Sequence, residues 1–244
     1  MERNKQVQFL DLGLRAYQSV WDIQEKLFDS IVQIKVSNQK NGENKLTPNF
    51  LLFCQHPPVY TLGKSGKMTH LLWTEEDLER HGVQFFKTNR GGDITFHGPG
   101  QLVGYPILDL DHFFTDIHRY MRYLEEAVIK TCADYGVLAG RIDGLTGVWI
   151  DFEEQVRPRK ICAMGVKASR WITMHGFAFN VNTDLSYFDH IVPCGIDDKA
   201  VTSLSLEVGK QLDLEEVSAR MKGHLSQLFE MEIIPFQHEH HLFG

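Results

Sequence analysis

Residues 89 to 101 read Asn-Arg-Gly-Gly-Asp-Ile-Thr-Phe-His-Gly-Pro-Gly-Gln, and the rest of the chain is best interpreted outward from this stretch. Two pairs of glycines flank the short run from Asp93 to Phe96. This predicts a strand between two tight turns, because glycine adopts positive φ and lets other backbone approach closely. The dinucleotide pattern G-x-G-x-x-G and the phosphate loop G-x-x-x-x-G-K-[ST] are both absent. A plain glycine-rich hairpin is one interpretation, but Arg90 and His97 add a fixed cation and a titratable group, which favours a binding site.

A second group of candidate residues lies between 159 and 196. Lys160 begins an apolar strand, and Cys194 stands between Pro193 and Gly195, where a constrained turn would leave its sulfur accessible. The thiolate is the nucleophile, and a free cysteine is mostly protonated at neutral pH unless a nearby cation lowers its pKa. Lys160 would supply that cation if the fold brings the two together. A structural cysteine and a solvated lysine remain the alternative at this point.

The other three cysteines favour a structural role. Cys54 and Cys162 lie within apolar strands, and Cys132 lies near the end of an amphipathic helix, so each is interpreted as a small core residue. No C-x-x-C is present, which argues against a zinc or redox motif, and free thiols fit a reducing compartment.

Composition excludes several classes of protein. The 244 residues carry 25 Lys+Arg against 32 Asp+Glu, a formal net charge of -7, which disfavours generic binding to DNA or RNA. No apolar run is long enough to span a membrane, and the N-terminus has no signal-peptide core, so we expect a cytoplasmic protein. At 43% hydrophobic residues the chain can bury a sizeable core.

Hydrophobic periodicity predicts one α/β domain, residues 1–244, with a mixed sheet flanked by helices. Residues 37–47 are Asn/Lys-rich and are predicted to form a flexible loop, and residues 1–13 give no clear signal. Helices are predicted over 14–34 and from about 117 and 214, with a short helix opened by a capping box at Thr74. Strands are predicted over 50–54, 83–87, 148–151, 160–166 and 171–181.

Five motifs follow one another between about residues 50 and 205. They are His56-Pro-Pro-Val-Tyr-Thr-Leu-Gly63, Arg90-Gly-Gly-Asp-Ile-Thr-Phe-His97-Gly-Pro-Gly-Gln101, Lys160-Ile-Cys-Ala-Met-Gly165, His175-Gly-Phe-Ala178 and Ile191-Val-Pro-Cys-Gly-Ile196. In content and order they resemble the lipoyl(octanoyl) transferase family. The resemblance implies a biotin/lipoate protein ligase-like fold, similar to class II aminoacyl-tRNA synthetases and biotinyl synthetases.

The resemblance also implies a reaction. An octanoyl group would pass from octanoyl-acyl carrier protein to a lysine on lipoyl domains of 2-oxoacid dehydrogenases and on the glycine-cleavage H protein. Cys194 would carry the acyl group as a thioester, and Lys160 would lower its pKa and handle protons. No metal or other cofactor is implied, because thioester exchange is nearly isoenergetic and the final amide is more stable.

The family's acyl-binding segments match three stretches of this chain, and we expect Gly92, Gly165 and Gly176 to make room for the acyl chain. The matching residues are Arg90, Gly91, Gly92, Asp93, Ile94, Thr95, Phe96, His97, Ala163, Met164, Gly165, Gly176, Phe177 and Ala178. His97 is expected in the pocket, where it would orient the carbonyl. His175 is interpreted as a core or pocket-wall histidine.

Three alternatives stay open. An ATP-dependent lipoate or octanoate ligase shares the fold, as do biotin ligases, but neither needs a cysteine nucleophile. A non-catalytic module that binds acyl groups or lipoyl domains would not need both Lys160 and Cys194. A cysteine hydrolase would need a Cys/His/Asn set that is not evident. The polar tail with His238, His240 and His241 is interpreted as a solvated end, not a metal site.

The acidic net charge would disfavour binding of the donor, because acyl carrier proteins are themselves acidic. We expect a local basic rim at the mouth of the acyl pocket. The candidate residues are Lys64, Lys67, Arg157, Arg159 and Lys167.

Overall fold

A computed structural model describes residues 3–153, 157–192 and 200–237. The strands are β1 (Gln6–Leu14), β2 (Asn49–Gln55), β3 (Val59–Leu62), β4 (Gln84–Lys87), β5 (Ile94–His97), β6 (Gln101–Ile107), β7 (Val148–Ile150), β8 (Arg159–Ser169), β9 (Ile172–Asn180), β10 (Ala200–Val201) and β11 (Glu232–Pro235). The helices are α1 (Tyr17–Asn41), α2 (Glu75–Arg80), α3 (Ile117–Asp134), α4 (Leu204–Val208) and α5 (Leu214–Phe229).

Two sheets organise these elements. The larger sheet has the order β10-β8-β9-β6-β2-β1-β11, with β7 also paired to β8, and the smaller one has the order β4-β3-β5. Both contain parallel and antiparallel pairs, so the predicted mixed sheet is confirmed.

Helices cover the two faces of the larger sheet. On one face α1 packs its Val20, Ile23 and Leu27 against strand residues such as Leu52 and Val103. On the other face α3 and α5 form the largest core cluster with β2, β8 and β9. This arrangement follows from strands whose residues are apolar on both sides, which must be covered from both sides.

The first helix differs from the prediction at both ends. It begins at Tyr17 and continues to Asn41, where Gly42 adopts φ +67° and ends it. The loop predicted to begin at Ser37 therefore begins at Gly42 instead. The polar composition of residues 37–41 suggested a loop. These residues form the last turns of α1, which lie on the surface, where polar side chains are solvated. Lys35 anchors them through Asp109 at 2.7 Å.

The N-terminal residues, which gave no clear signal, form β1. This strand lies between β2 and β11 and is parallel to both. The other predicted elements are present with end points shifted by a few residues, and Thr74 forms its reciprocal capping box with Asp77. None of the helices in the described parts of the chain is long and apolar enough to cross a membrane.

Candidate active site

A cavity of about 440 Å³ is lined by strands of both sheets. Residues 89–101, termed the glycine-rich hairpin, form one wall, and their strand β5 pairs with β3 in the smaller sheet. Strands β6, β8 and β9 form the other wall. Lys160 and Trp149 lie on the lining at the β7 and β10 end of β8, while Tyr17 and His175 lie on it toward α1. Apolar walls with a few polar groups are typical of a site for a small ligand or acyl group.

Nearly all of the residues predicted to bind substrate line this cavity. They are Arg90, Gly91, Gly92, Asp93, Ile94, Thr95, His97, Ala163, Met164, Gly165, Gly176, Phe177 and Ala178, together with Lys160. Phe96 is the exception. Its ring points to the opposite side of β5, where it stacks on Tyr187 with ring centroids 4.5 Å apart. Thr95 and His97, its neighbours along the strand, take the alternate face, which lies toward the cavity.

The glycine-rich hairpin docks onto the edge of β8. The amide of Gly91 donates to the carbonyl of Val166 at 2.9 Å. A Cβ at Gly165 would lie 2.7 Å from the carbonyl oxygen of Gly91, so a side chain there would push the hairpin off the sheet. Glycine at position 165 thus permits the contact that closes the cavity.

Of the three glycines expected to make room for an acyl chain, Gly165 and Gly176 make room for protein backbone. Beside Gly165 lies the hairpin, and a Cβ at Gly176 would lie 2.2 Å from the carbonyl oxygen of Gly104 on β6. Gly92 has φ +84°, so its conformation explains the residue without reference to a ligand. Gly165 and Gly176 thus shape the cavity by letting backbone segments approach each other.

Arg90 is buried and fixes the hairpin to the smaller sheet. Its Nη2 donates to the carbonyl oxygen of Thr61 at 2.7 Å and to Thr61 Oγ1 at 2.9 Å, and its Nη1 donates to the carbonyl oxygen of Gly91 at 3.0 Å. Since the Thr61 hydroxyl accepts from Arg90, its own hydrogen is available to His97 Nε2, 3.2 Å away. Arg90 therefore begins a directed chain of hydrogen bonds.

That chain continues from His97 across the floor of the cavity. Gln101 uses its amide hydrogens on the carbonyl of Phe96 at 3.1 Å and on Asn180 Oδ1 at 2.9 Å. Its Oε1 must then accept from His97 Nδ1, at 2.9 Å. Asn180 in turn donates to the carbonyl of Thr202 at 3.0 Å. The network fixes His97 as the Nδ1–H tautomer.

His97 is neutral in the folded protein. Burial lowers the pKa of its imidazole well below the usual value, with further lowering by nearby His56 and Arg90. Both ring nitrogens are used within the protein, so the expected role in orienting a substrate carbonyl is not supported. The imidazole instead holds the hairpin strand β5 to β6.

Tyr17, His56 and Tyr105 form an aromatic floor under the cavity. The Tyr17 ring stacks on His97 with centroids 5.8 Å apart and meets His56 edge-on at 5.2 Å. His56 Nδ1 donates to the carbonyl of Arg15 at 2.8 Å, so Nε2 accepts from the Tyr105 hydroxyl, also at 2.8 Å. Burial lowers the pKa of His56 to about 4, which keeps it neutral.

His175 lies in the cavity wall, as expected. Its Nε2 is 2.6 Å from Asn89 Oδ1, and its amide donates to Gln24 Oε1 at 3.0 Å. It adopts φ +61°, an uncommon conformation for a residue with a side chain, and burial together with Arg90 lowers its pKa to about 3. The backbone amide thus ties His175 to α1, while its neutral imidazole contacts Asn89.

Lys160 faces the cavity over an aromatic ring. Its Nζ lies 4.6 Å from the centroid of Trp149, which is the partner of Lys160 across the β7–β8 pair. An ammonium over an indole face is stabilised by the ring quadrupole. Gly147 permits this packing, because a Cβ there would lie 2.6 Å from the carbonyl oxygen of Cys162 and 3.5 Å from Lys160 Cε.

Cys194, the predicted nucleophile, lies outside the described residues. The described chain reaches Val192, two positions earlier, whose amide donates to the carbonyl of His70 at 2.9 Å. The other three cysteines are free and buried, as predicted. Burial raises the pKa of Cys132 to about 12 and the pKa values of Cys54 and Cys162 well above the usual range, so these thiols stay protonated.

Several lining residues were not singled out from the sequence. They are Tyr17, Gln101, Val103, Tyr105, Met121, Gly144, Leu145, Thr146, Trp149, Val166, Asn180, Phe188, Ala200 and Val201. The alternation Gln101, Val103, Tyr105 within one strand was a signal that these three share a face. Met121 and Leu145 had no such signal, because they reach the cavity only through tertiary packing.

The described ranges contain no cluster of three or more His, Cys, Asp or Glu side chains suited to hold a metal ion. The histidine-containing tail from residue 238 lies outside the described residues.

The family model described as the lipoyl protein ligase A/B catalytic domain matches residues 16–226, and the chain belongs to this family. The resemblance drawn from the five motifs is thereby confirmed. Among curated relatives, the octanoyltransferase of Cytophaga hutchinsonii is 58% identical over 94% of this chain and 95% of its own length. The octanoyltransferase of Flavobacterium johnsoniae is 57% identical over 95% and 100%, and that of Bacteroides fragilis is 50% identical over 88% and 94%.

Solved structures with the same fold are more distant in sequence. A bipartite lipoate protein ligase from Thermoplasma acidophilum has a TM-score of 0.67 at 15% identity, covering 99% of this chain and 91% of its own. Lipoate-protein ligase A bound with ATP has a TM-score of 0.67 at 16% identity, with coverage of 98% and 92%. The expected lipoate ligase-like fold is confirmed, and at such identities the likeness bears on fold alone.

Proposed function

We propose that this chain is an octanoyltransferase that acts in the cytoplasm as a single catalytic domain. It takes an octanoyl group from octanoyl-acyl carrier protein and transfers it to a lysine of lipoyl domains in 2-oxoacid dehydrogenases and the glycine-cleavage H protein. The observation that carries the proposal is an apolar-walled cavity with Lys160 on its lining, in a chain 58% identical to a protein named octanoyltransferase.

The reaction has two acyl transfers. In the first, Cys194 Sγ attacks the thioester carbonyl of the donor, a new sulfur–carbon bond forms, and the donor thiol leaves with a proton. In the second, the acceptor lysine amine attacks the Cys194 thioester, an amide forms, and the Cys194 thiol is released as the amine loses a proton. Lys160 would favour the Cys194 thiolate and relay these protons.

The rigid cavity supports this mechanism by positioning. The hydrogen-bonded chain from Arg90 to Asn180 and the docked hairpin keep the walls in place before substrate arrives. Preorganised walls align a bound acyl chain with its carbonyl at the reacting groups, which lowers the entropic part of the barrier. His97 and His175 line the cavity and are neutral, so neither of them places a charge beside the acyl chain.

One of the five residues expected in the basic rim is paired within the protein. Arg159 is not available for an acidic partner, because it pairs with Asp151 and Glu207. Lys67 and Lys64 are exposed, and the backbone amide of Lys64 donates to the carbonyl of Arg90 at 3.0 Å. These two lysines, on a loop attached to the cavity hairpin, are the part of the proposed rim best suited to meet the donor.

Intact-protein mass spectrometry tests the proposal. Incubation with octanoyl-acyl carrier protein is expected to add one octanoyl group to the wild type. The adduct is expected to be retained in Cys132→Ala, whose thiol is buried, and the thioester is expected to be lost in Cys194→Ser. An equal adduct in Cys194→Ser contradicts the mechanism, and transfer of free octanoate at a comparable rate only with ATP would support a ligase instead.

A further inference from the structure

A loop that lines the cavity is held at both ends by one buried carboxylate. Residues 142–146 join Arg141 to Gly147, and their Gly144, Leu145 and Thr146 form part of the cavity wall. Glu125 of α3 has a fully buried side chain beneath this loop. Within the described residues, Glu125 itself does not line the cavity.

The two oxygens of Glu125 have different partners. Oε1 accepts from the amide of Gly147 at 3.1 Å, and Oε2 accepts from Arg141 Nε at 3.0 Å. Arg122 also approaches Oε2, with Nη1 at 2.8 Å. These three donors compensate the buried negative charge and hold the carboxylate in one orientation.

The clamped end of the loop leads directly to Lys160. Gly147 precedes β7, and Trp149 of β7 supports the Lys160 ammonium at 4.6 Å. Gly140 and Trp149 exchange two backbone hydrogen bonds, of 2.8 and 2.9 Å, so the loop base is also closed. Any shift of Gly147 therefore moves both the cavity wall and the surface on which Lys160 packs.

We propose that Glu125 is a positioning residue for acyl transfer, which sets the cavity wall at residues 144–146 and the placement of Trp149 beneath Lys160. The inference rests on the proposed function, since it assigns a role in that reaction. A purely structural role for the same ion pairs would change stability without changing selectivity between acyl chains.

Glu126 provides a matched control. It lies next to Glu125 on α3 and binds the same arginine, with Arg141 Nη2 at 2.8 Å from its Oε2, but its side chain is 33% exposed. None of the hydrogen bonds among the described residues joins it to Gly147. Glu126→Gln therefore weakens the arginine contact and leaves the Gly147 contact in place.

The test compares Glu125→Gln with Glu126→Gln at a temperature where both are folded. A glutamine at 125 has one acceptor oxygen, so accepting from Gly147 turns its NH₂ toward the guanidinium donors, and one of the two contacts must be lost. We expect kcat for octanoyl transfer to fall about tenfold to 100-fold in Glu125→Gln and to stay near wild type in Glu126→Gln. We also expect the octanoyl-to-hexanoyl ratio of kcat/KM to change at least about threefold only in Glu125→Gln.

Hydrogen exchange gives a readout that does not depend on the reaction. The Gly147 amide is expected to exchange faster in Glu125→Gln and to remain protected in Glu126→Gln. Unchanged exchange in Glu125→Gln, or faster exchange with an unchanged kcat and chain-length ratio, would overturn the inference. Wild-type protein that fails to transfer octanoyl would instead refute the proposed function, and the exchange result would still report on the clamp.

Discussion

Lys160 and Trp149 are cross-strand partners, and the Lys160 ammonium lies 4.6 Å from the centroid of the indole ring. The ring gives the flexible lysine stem a fixed place on the cavity lining. Where the ammonium is, and not only that one is present, decides whether it can act on a substrate.

Replacing Trp149 tests this contact. Trp149→Phe keeps an aromatic face under Lys160, whereas Trp149→Leu removes it and loses about 0.5–2 kcal/mol of cation–π attraction. We expect octanoyl transfer to be roughly 2- to 30-fold slower in Trp149→Leu than in Trp149→Phe, measured in single turnovers. Equal rates in the two variants would show that the ring acts only by filling space.

Gly165→Ala is expected to destabilise the protein, because the new Cβ would lie 2.7 Å from the carbonyl oxygen of Gly91 and the backbone there has little freedom to move. The expected loss is about 1–3 kcal/mol in the free energy of unfolding by urea. Gly223→Ala is the matched control. Gly223 lies in α5, and among the described residues a Cβ there would meet no atom beyond its own helix backbone within 4 Å, so this change is expected to stabilise by about 0.5–1 kcal/mol. A stable Gly165→Ala protein would contradict the docked hairpin.

Stability is expected to fall as pH drops below about 6.5. The folded protein keeps His56 neutral down to a pKa of about 4 and His175 down to about 3, while the unfolded chain binds protons at the ordinary histidine pKa. The unfolded state thus binds more protons in this window, and each histidine lowers the free energy of unfolding by about 1.4 kcal/mol per pH unit. Above the ordinary histidine pKa these histidines are neutral in both the folded and the unfolded state, so this loss of stability is absent there.

Urea unfolding at pH 7, 6 and 5 measures this slope. In His175→Gln the number of protons taken up on unfolding is expected to fall by about one, which lowers the slope of unfolding free energy against pH. His118→Gln, which changes an exposed histidine of α3, is expected to leave it unchanged. The assignment of His175 as a buried neutral imidazole is wrong if the slope is the same in both variants.

Ala163 and Ala178 face each other across β8 and β9 and both line the cavity. Ala163→Leu would fill part of the proposed acyl site, so transfer of octanoyl is expected to fall more than transfer of hexanoyl. Each methylene that can no longer be buried costs about 0.8 kcal/mol, roughly fourfold in kcat/KM. Ala168→Leu, at the exposed end of the same strand, is expected to leave the chain-length profile unchanged. A uniform loss across chain lengths in Ala163→Leu would argue that the acyl chain lies elsewhere.

Much of the fold could be predicted from the sequence. Apolar periodicity located α3 and α5, and the capping box located α2, because these signals arise from residues close together in the chain. The strands β1, β3, β6, β10 and β11, the helix α4 and the last turns of α1 were not predicted. Pairing with distant strands decides β1, which lies between β2 and β11, and β6, which lies between β2 and β9. The α1 extension depends on Lys35 and its contact with Asp109.

For the candidate site, the motifs identified the residues more reliably than their roles. Arg90, His97 and Gly165 all line the cavity. However, the sequence suggested that His97 orients a carbonyl and that Gly165 makes room for a ligand. In the structure His97 joins β5 to β6 through its hydrogen bond to Gln101. Gly165 has no side chain, which lets the backbone of Gly91 pack against it.

The sequence by itself determined which residue types are available: a lysine and a cysteine within the family's motifs, a glycine-rich segment with one arginine, and an α/β pattern of elements. Only the tertiary structure decided that Phe96 turns away from the cavity, that three histidines are neutral, and that Glu125 holds the loop beside Lys160. The physical reason is that hydrogen-bond direction, burial and backbone contact depend on residues far apart in the chain, which no local pattern records.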